Sequence, residues 1–570
     1  MGKFQSKQPQ SLGGSRATLF VFAMGALDTM AFISNGMSLV TYFYGDMNMS
    51  LTKAATALTN FMGTAFLLTL FGGFISDSYF SRFKTCVAFG CLEIVGYLIL
   101  ATQAHLTHLR PQPCKGMNMD QHCEAATTAQ QAILFSGLYL VALGTGGVKA
   151  ALPSLGADQF DDRDPEEAAS LSSYFNWLMF SYTLGAIIGV TFLVWISSNL
   201  GWDWAFGICA MIVAMGIFCL AIGHSTYRTN VPKRSALIGI IQVFVVAVRN
   251  RKLRASEGHE MHEIHDKETG HDETLQRTDQ FKFLDRAAMK RNSEDPSGSW
   301  KLCTVTQVEE AKILVRMLPI ILSTVFMNTC LAQLQTFSIQ QSTTMTRKIG
   351  SFEMPGPSIP VIPLLFMFIL IPIYDRFFVP VARKITGIPT GITTLQRVAV
   401  GLVLSTLSMA ISGVVETHRK KVAINHGLVD STDPLPMSVF WLGIQYGIFG
   451  IADMFTLVGL LEFFYAESSS GMKSLGTAIS WCSLAFGYYT SSVVVNVVNK
   501  ASGGWLSSNN LNRDRLEYFY WLLAGMSVVN FAVYLLCASW YKYKRVEEKS
   551  EDCIEKKIDV SIGKNTSVEG

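Results

Sequence analysis

The sequence predicts an all-α membrane protein with twelve transmembrane helices arranged as two six-helix bundles. Three observations lead there. First, 49% of the residues are hydrophobic and only 16% are charged, whereas soluble globular chains carry about 25% charged residues. Second, apolar runs approaching or exceeding the roughly 20 residues that cross a hydrocarbon core recur near 17–44, 52–76, 84–104, 130–153, 173–197, 203–223, 307–340, 358–381, 391–415, 436–466, 472–498 and 516–541. Third, the longest polar interval divides these runs six and six, the organisation of membrane proteins built from repeats with a site between them near the midplane.

The expected domains are an N-terminal tail (1–16), a first bundle (17–224), a linker (225–303), a second bundle (304–541) and a C-terminal tail (542–570). Residues 1–15 are polar and lack the layout of a cleavable signal peptide, so the first helix is expected to act as the targeting signal. Lys and Arg in the tails, the linker and the loops at Arg82 and Arg383 fall on one side if every span is real, which predicts cytoplasmic termini. Arg419, Lys420 and Lys421 fall on the opposite side and leave the ninth or tenth span open to error. Within the linker, residues 234–253 (RSALIGIIQVFVVAVRNRKL) read as an interfacial amphipathic helix.

Composition excludes other classes. With 46 Lys plus Arg against 43 Asp plus Glu there is no basic stripe, so nucleic acid is not an expected partner. The eleven cysteines show no CxxC spacing, and His259, His262, His265 and His271 read as a solvated linker, so neither a metal nor a cofactor is assigned. Cys114 and Cys123 share one polar loop, where a disulfide requires an oxidising compartment. Enzyme chemistry is not expected, because no nucleophile and base stand at recognisable spacing.

Charged side chains inside spans are functional candidates by default. Asp28 lies in the first span, Lys149 near the end of the fourth and Asp453 in the tenth. A pair between Lys149 and Asp453 would bridge the two bundles, either as a gate that breaks during a cycle or as a static tie. Glu309, Glu310, Lys312 and Arg316 stand at helical spacing and are expected to pair among themselves, while Glu93 and Glu462 are left as core carboxylates. Aromatic and amide residues inside the spans suit an amphipathic organic molecule. Asn60, Gln333, Tyr182 and Trp481 are taken from them as candidate binding residues.

The segment 72–85, GGFISDSYFSRFKT, resembles the loop motif of the major facilitator superfamily, in the form used by the proton-dependent peptide and plant nitrate transporter family. ALGTGGVKAALPSLGADQFD (142–161), FKFLDRAAM (281–289), WKLCTVTQVEEAK (300–312) and LNRDRLEYFYW (511–521) extend the resemblance over most of the chain. It implies the major facilitator fold, a small-molecule substrate and alternating access in a plant membrane, the plasma membrane ahead of the vacuolar one. It also implies that Lys149 and the acidic residue of the tenth helix, Asp453 here, take part in substrate binding and proton coupling. Asp77 is expected to cap the next helix or pair across the bundle, Arg82 with Lys84 to hold the cytoplasmic side, and Thr85 matches a regulatory threonine that a kinase would modify, against a plain helix-capping role.

Departures narrow the function. Of the first-helix ExxE(R/K) motif only Asp28 survives, which leaves coupling to protons and uncoupled movement both open. Leu331 stands where nitrate carriers of the family place a histidine, which demotes nitrate. Ser469 replaces a family proline, so the joint between tenth and eleventh helices is expected to be more flexible or more continuous. The contexts LTNFMGTAFLL and CLAQLQTFS resemble the branch that moves weak-acid hormones such as abscisic acid and gibberellins. The expected function is therefore carriage of such a solute, with nitrate or peptide transport, uncoupled facilitation or a transport-derived sensor as alternatives.

Overall fold

The computed structural model describes residues 13–544 apart from 50, 113–124, 162–163, 229–235, 252–274, 290–299, 301, 350–351, 354–358, 389, 431–433, 470 and 507–509. Cys114, Cys123 and the four linker histidines lie outside the described residues. Among the described residues, twelve helices are long and apolar enough to cross a membrane. Spans 1 to 6 are Gly14–Gly45, Thr56–Ser78, Arg82–His105, Thr128–Ala157, Glu167–Asn199 and Trp202–Thr226. Spans 7 to 12 are Val305–Thr343, Val361–Thr386, Thr394–Asn425, Val439–Glu467, Lys473–Ser502 and Leu516–Trp540.

The chain divides into two compact units. The larger, Met1–Pro232, Leu318–Ala466 and Lys473–Trp540, holds both bundles except the start of span 7, residues 305–317, and Glu467 at the end of span 10. Its outward-facing side chains are apolar, with Leu322, Phe377 and Leu536 about 70% exposed, as suits a lipid solvent rather than water. Between the bundles, span 11 packs on spans 2 and 4 and span 8 on span 5. Close approach inside the first bundle depends on small residues. A Cβ on Gly72 of span 2 would lie 2.5 Å from the Cα of Gly147 in span 4, so no larger residue fits at that crossing. Spans 5 and 8 each contain one π-helical turn, at Gly189–Leu193 and Tyr374–Phe378. The second follows Pro372, which removes a backbone donor from the helix, and it carries Asp375.

Spans 9 and 10 are both present, so the cations at 419–421 do not signal a misplaced helix. Arg419 is fully buried and donates to both carboxylate oxygens of Glu416, at 2.7 and 2.8 Å. Lys420 pairs with Glu517 at 2.9 Å. These two charges are neutralised inside the protein, whereas the loop-charge rule applies to free loop cations. The LNRDRLEYFYW motif supplies Asn512 and Glu517 to this cluster.

The smaller unit comprises Lys233–Met317, Glu467–Met472 and Tyr541–Gly570. Its helix Ala236–Arg249 buries Ile240, Val243, Val246 and Ala247 and exposes Ile238, Ile241, Val245 and Val248, an apolar stripe at helical spacing. The FKFLDRAAM and WKLCTVTQVEEAK motifs meet here. Leu284, Ala287 and Ala288 pack with Cys303, Val305 and Val308, and a reciprocal Thr304–Gln307 capping box starts span 7. Lys312 is fully buried between Glu309 at 2.7 Å and Asp285 at 2.6 Å. The expected pairing within 309–316 thus gains a partner from the linker. Ser469 donates to Glu310 at 2.6 Å. Span 10 still ends at Glu467 and span 11 begins at Lys473, so losing the family proline has not merged the two helices.

Candidate transport cavity and its closed face

Eight spans contribute to one cavity of about 1100 Å³ of non-atom space, counting the part open to solvent. They are spans 1, 2, 4 and 5 of the first bundle and 7, 8, 10 and 11 of the second. The walls are apolar, with Phe32, Phe66, Met179, Leu331, Met367 and Phe449 among them. Lys149 is a cation of the lining. Its Nζ donates to Asp28 Oδ2 at 2.7 Å, and Thr145 Oγ1 donates to the same carboxylate at 3.3 Å. The ammonium also lies 5.0 Å from the ring centre of Phe32 and 6.0 Å from those of Tyr182 and Trp481, within cation–π range.

Asp453 lines the same cavity, but the pair expected between it and Lys149 is not formed here. The lysine ends near Asp28 instead, so both members of its ion pair belong to the first bundle. No hydrogen bond or ion pair to Asp453 is found among the described residues. Three further lining groups are buried without a hydrogen-bond partner among the described residues: Thr29 Oγ1, Tyr182 Oη and Trp481 Nε1. Buried polar groups in folded proteins are nearly always paired. Three unpaired donors around one cavity therefore form a ready set of contacts for an oxygen-bearing solute.

Two candidate binding residues fall elsewhere. Gln333 donates to Ser491 Oγ at 2.8 Å and ties span 7 to span 11. Gln335, two residues further along the helix, lines the cavity in its place and accepts from Tyr488 at 2.8 Å. The reason is rotational, since residues two apart on a helix point about 200° from one another. Asn60 is exposed in a separate groove with Lys53, Thr56, Phe135 and Tyr139. Thr29, Thr183, Gln335, Tyr446 and Tyr488 are lining polar groups not among the candidates chosen from sequence. Each was visible as a polar residue in an apolar run, but nothing local gave its direction.

On the face bearing the loop between spans 2 and 3, polar contacts join the bundles. Asp77 accepts the backbone N–H of Ser474 at 3.3 Å and of Leu475 at 2.7 Å, capping the N-terminus of span 11. Arg82 pairs with Asp158 and donates to Ser474 Oγ at 3.0 Å, and Tyr465 of span 10 donates to Asp158 at 3.0 Å. A second lock centres on Asp375, which accepts from Ser173, Asn176 and Trp177 of span 5 at 2.6 to 3.0 Å. Arg397 of span 9 donates to Asn176 at 2.6 Å and lies 3.6 Å from Glu462. Sequence reasoning passed over Arg397, which sits in the first turn of span 9 where charge is unremarkable, and Asp375, a charge inside span 8 whose span 5 donors no sequence pattern reveals.

Thr85 is fully buried and its hydroxyl donates back to the Ser81 carbonyl at 3.2 Å. Capping of span 3 falls to Ser81, whose side chain accepts from the Lys84 N–H. Neither expectation for Thr85 fits this conformation: it is not the cap, and a kinase has no access to it until the surrounding helices part.

The family model PTR2, described as the POT family, matches residues 83–510. The Arabidopsis thaliana proteins NRT1/PTR family 4.3 and 4.6 are 43% and 42% identical to the chain. The alignments cover 93% and 94% of this chain and 90% and 96% of those proteins. Among solved structures, an auto-inhibited POT family peptide transporter superposes with a TM-score of 0.59 at 17% identity, covering 93% of this chain and 98% of that one. A POT family transporter in complex with 5-aminolevulinic acid gives 0.59 at 13% identity, covering 92% and 98%. The fold is the major facilitator fold of those transporters. By its matched model and its relatives, the chain is a multi-pass membrane transporter that belongs to the POT family, in the plant NRT1/PTR group.

Proposed function

We propose that this transporter carries a weak organic acid of the abscisic acid or gibberellin kind, by alternating access and together with a proton, across the plasma membrane of a plant cell. The observation that carries the reading is the cavity's chemistry. Apolar and aromatic walls surround one ammonium, the Asp453 carboxyl and three unpaired donors, which suits a molecule with a hydrocarbon body, a carboxylate at the ammonium and one or two further oxygens. Nitrate fits poorly. A small hydrated anion needs several donors to replace its water, and Leu331 faces the cavity where a basic side chain would serve.

The Lys149–Asp28 pair supplies the coupling step. A solute carboxylate reaching Lys149 competes with Asp28 for the ammonium, and a proton bound at this acidic site removes the rival charge. One monoanion and one proton then enter together. The two locks hold the cavity shut on the side taken as cytoplasmic, and alternating access requires them to part while the opposite face closes.

Saturable uptake of labelled abscisic acid, gibberellin, nitrate and dipeptides into a heterologous cell, at acidic and neutral external pH, tests this. Uncharged weak acids also cross lipid unaided, so only the saturable component counts, and a protonophore must abolish its accumulation. Saturable, protonophore-sensitive uptake of an organic acid is the expected result. Uptake of nitrate or peptides alone would overturn the substrate class, and acid uptake unaffected by pH would overturn the coupling.

A further inference from the structure

Glu93 of span 3 has no role in the account so far, and its setting is unusual. It is fully buried, and neither carboxylate oxygen has a hydrogen-bond partner among the described residues. Span 4 presses against it: a Cβ on Gly144 would lie 2.5 Å from that of Glu93, so the glycine lets the two backbones meet at this point. Next to Gly144 is Thr145, the residue that donates to Asp28. The charged groups that act on Glu93 are Asp28 of span 1 and Lys149 of span 4. Tyr97 on its own helix and Cys209 of span 6 are its uncharged titratable neighbours, and both accept from Asn35 of span 1. Asp28 is in contact with the ammonium at 2.7 Å, and Glu93 is a second buried carboxyl in the same field, with no donor among the described residues to stabilise its charge.

We propose that Glu93 and Asp28 form a carboxyl pair that binds one exchangeable proton, and that this proton decides whether Lys149 is available to the solute. The proposal rests on the coupled, organic-acid reading above and extends it to a residue outside the cavity lining. With no proton, the ammonium feels two negative charges, Asp28 in contact and Glu93 beyond it, and a solute carboxylate must compete with both. With one proton from cavity water, the pair keeps a single negative charge and the solute has one rival for Lys149. The proton stays on the pair while the solute anion occupies the ammonium, and both leave on the other side. Linkage requires the reverse as well: bound solute strengthens proton binding by the same factor. The pair also supplies, from span 3, the second acidic group that the first-helix motif has lost.

Glu93→Gln is a near-isosteric copy of the protonated residue, and Glu93→Asp keeps the acid. Two readouts on purified carrier test the site. The first needs no solute: infrared difference spectra between acidic and neutral pH. Other carboxyls within the spans, such as Asp453 and Glu462, contribute to every spectrum, so the wild type and Glu93→Asp are expected to show an additional protonated-carboxyl component that Glu93→Gln lacks; identical spectra for the wild type and Glu93→Gln overturn the proposal. The second is equilibrium binding of labelled abscisic acid. Wild-type affinity is expected to rise about tenfold per unit of acidification, the slope of one linked proton. Glu93→Gln should change by less than about twofold, bind tightly at neutral pH, exchange solute downhill and fail to concentrate it against a gradient. An unchanged slope in Glu93→Gln overturns the proposal while the organic-acid reading stands. If abscisic acid binds to no form but the infrared band still depends on Glu93, the substrate reading fails and the proton site is supported. A wild type that binds abscisic acid with neither the band nor a pH response overturns the proton site and the coupling, while the substrate class stands.

Discussion

Asp77→Asn gives the most quantitative test of the closed face. The carboxylate accepts two backbone N–H groups at the first turn of span 11, at 2.7 and 3.3 Å. Hydrogen bonds to a charged group are worth about 1.5–3 kcal/mol and neutral ones about 0.5–1.5. Asparagine can still accept one N–H as a neutral bond, so even at the low end of the charged range the two bonds together lose at least about 1.5 kcal/mol. The lost charge beside a helix N-terminus adds about 0.5 kcal/mol. Arg82 loses its 3.6 Å pairing with Asp77 but retains Asp158, so that part of the lock survives. The closed arrangement should thus weaken by at least about 2 kcal/mol, a shift of at least about 30-fold in the ratio of closed to open molecules. Spin labels at the exposed positions Tyr79 and Ile385, in a background without reactive native cysteines, report the separation of the bundles on this face by pulsed electron resonance. A distance distribution in Asp77→Asn that matches the parent, at equal folding, would refute the assignment of Asp77 as a lock.

Lys149→Gln should reduce saturable uptake to background, and leaving Asp28 buried without its partner should cost about 3–5 kcal/mol of stability; Lys149→Gln with Asp28→Asn should recover thermal stability in detergent but not uptake. Trp481→Phe removes an unpaired donor and keeps most of the ring, so the solute's KM is expected to rise about 5- to 30-fold, the equivalent of about 1–2 kcal/mol, with protein abundance unchanged. Arg419→Leu removes the counter-charge of the buried Glu416, which keeps the Gln341 donor at 2.6 Å, and should lower stability by about 3–5 kcal/mol, read as a fall in melting temperature; an unchanged melting temperature would show that the buried pair is not structural. Labelled nitrate should enter no faster than into control cells, and robust saturable nitrate uptake would contradict the reading of Leu331.

What the sequence made legible, and what it hid, follow from one property of membrane helices. The number of spans and their boundaries could be read because length and apolarity are set by the hydrocarbon core. Asp28, Lys149 and Asp453 stood out because charge is rare there. Their pairing did not, since a one-dimensional pattern does not say whether Lys149 meets the carboxylate of its own bundle or that of the other. The choice of Gln333 over Gln335 failed for a related reason. In a soluble protein the polar face of a helix points to water and fixes its rotation. In lipid the outer face is as apolar as the packed one, so CLAQLQTFSI carries almost no information on which glutamine turns inward. Asn60 fell to the same ambiguity, being exposed where an inward amide was expected. Glu93 was visible as a charge in span 3, but its significance needed the neighbours that only packing supplies: Gly144 pressed against its backbone, and Asp28 with Lys149 beyond. Direction within each helix, rather than the identity of its polar residues, is what the folded structure adds.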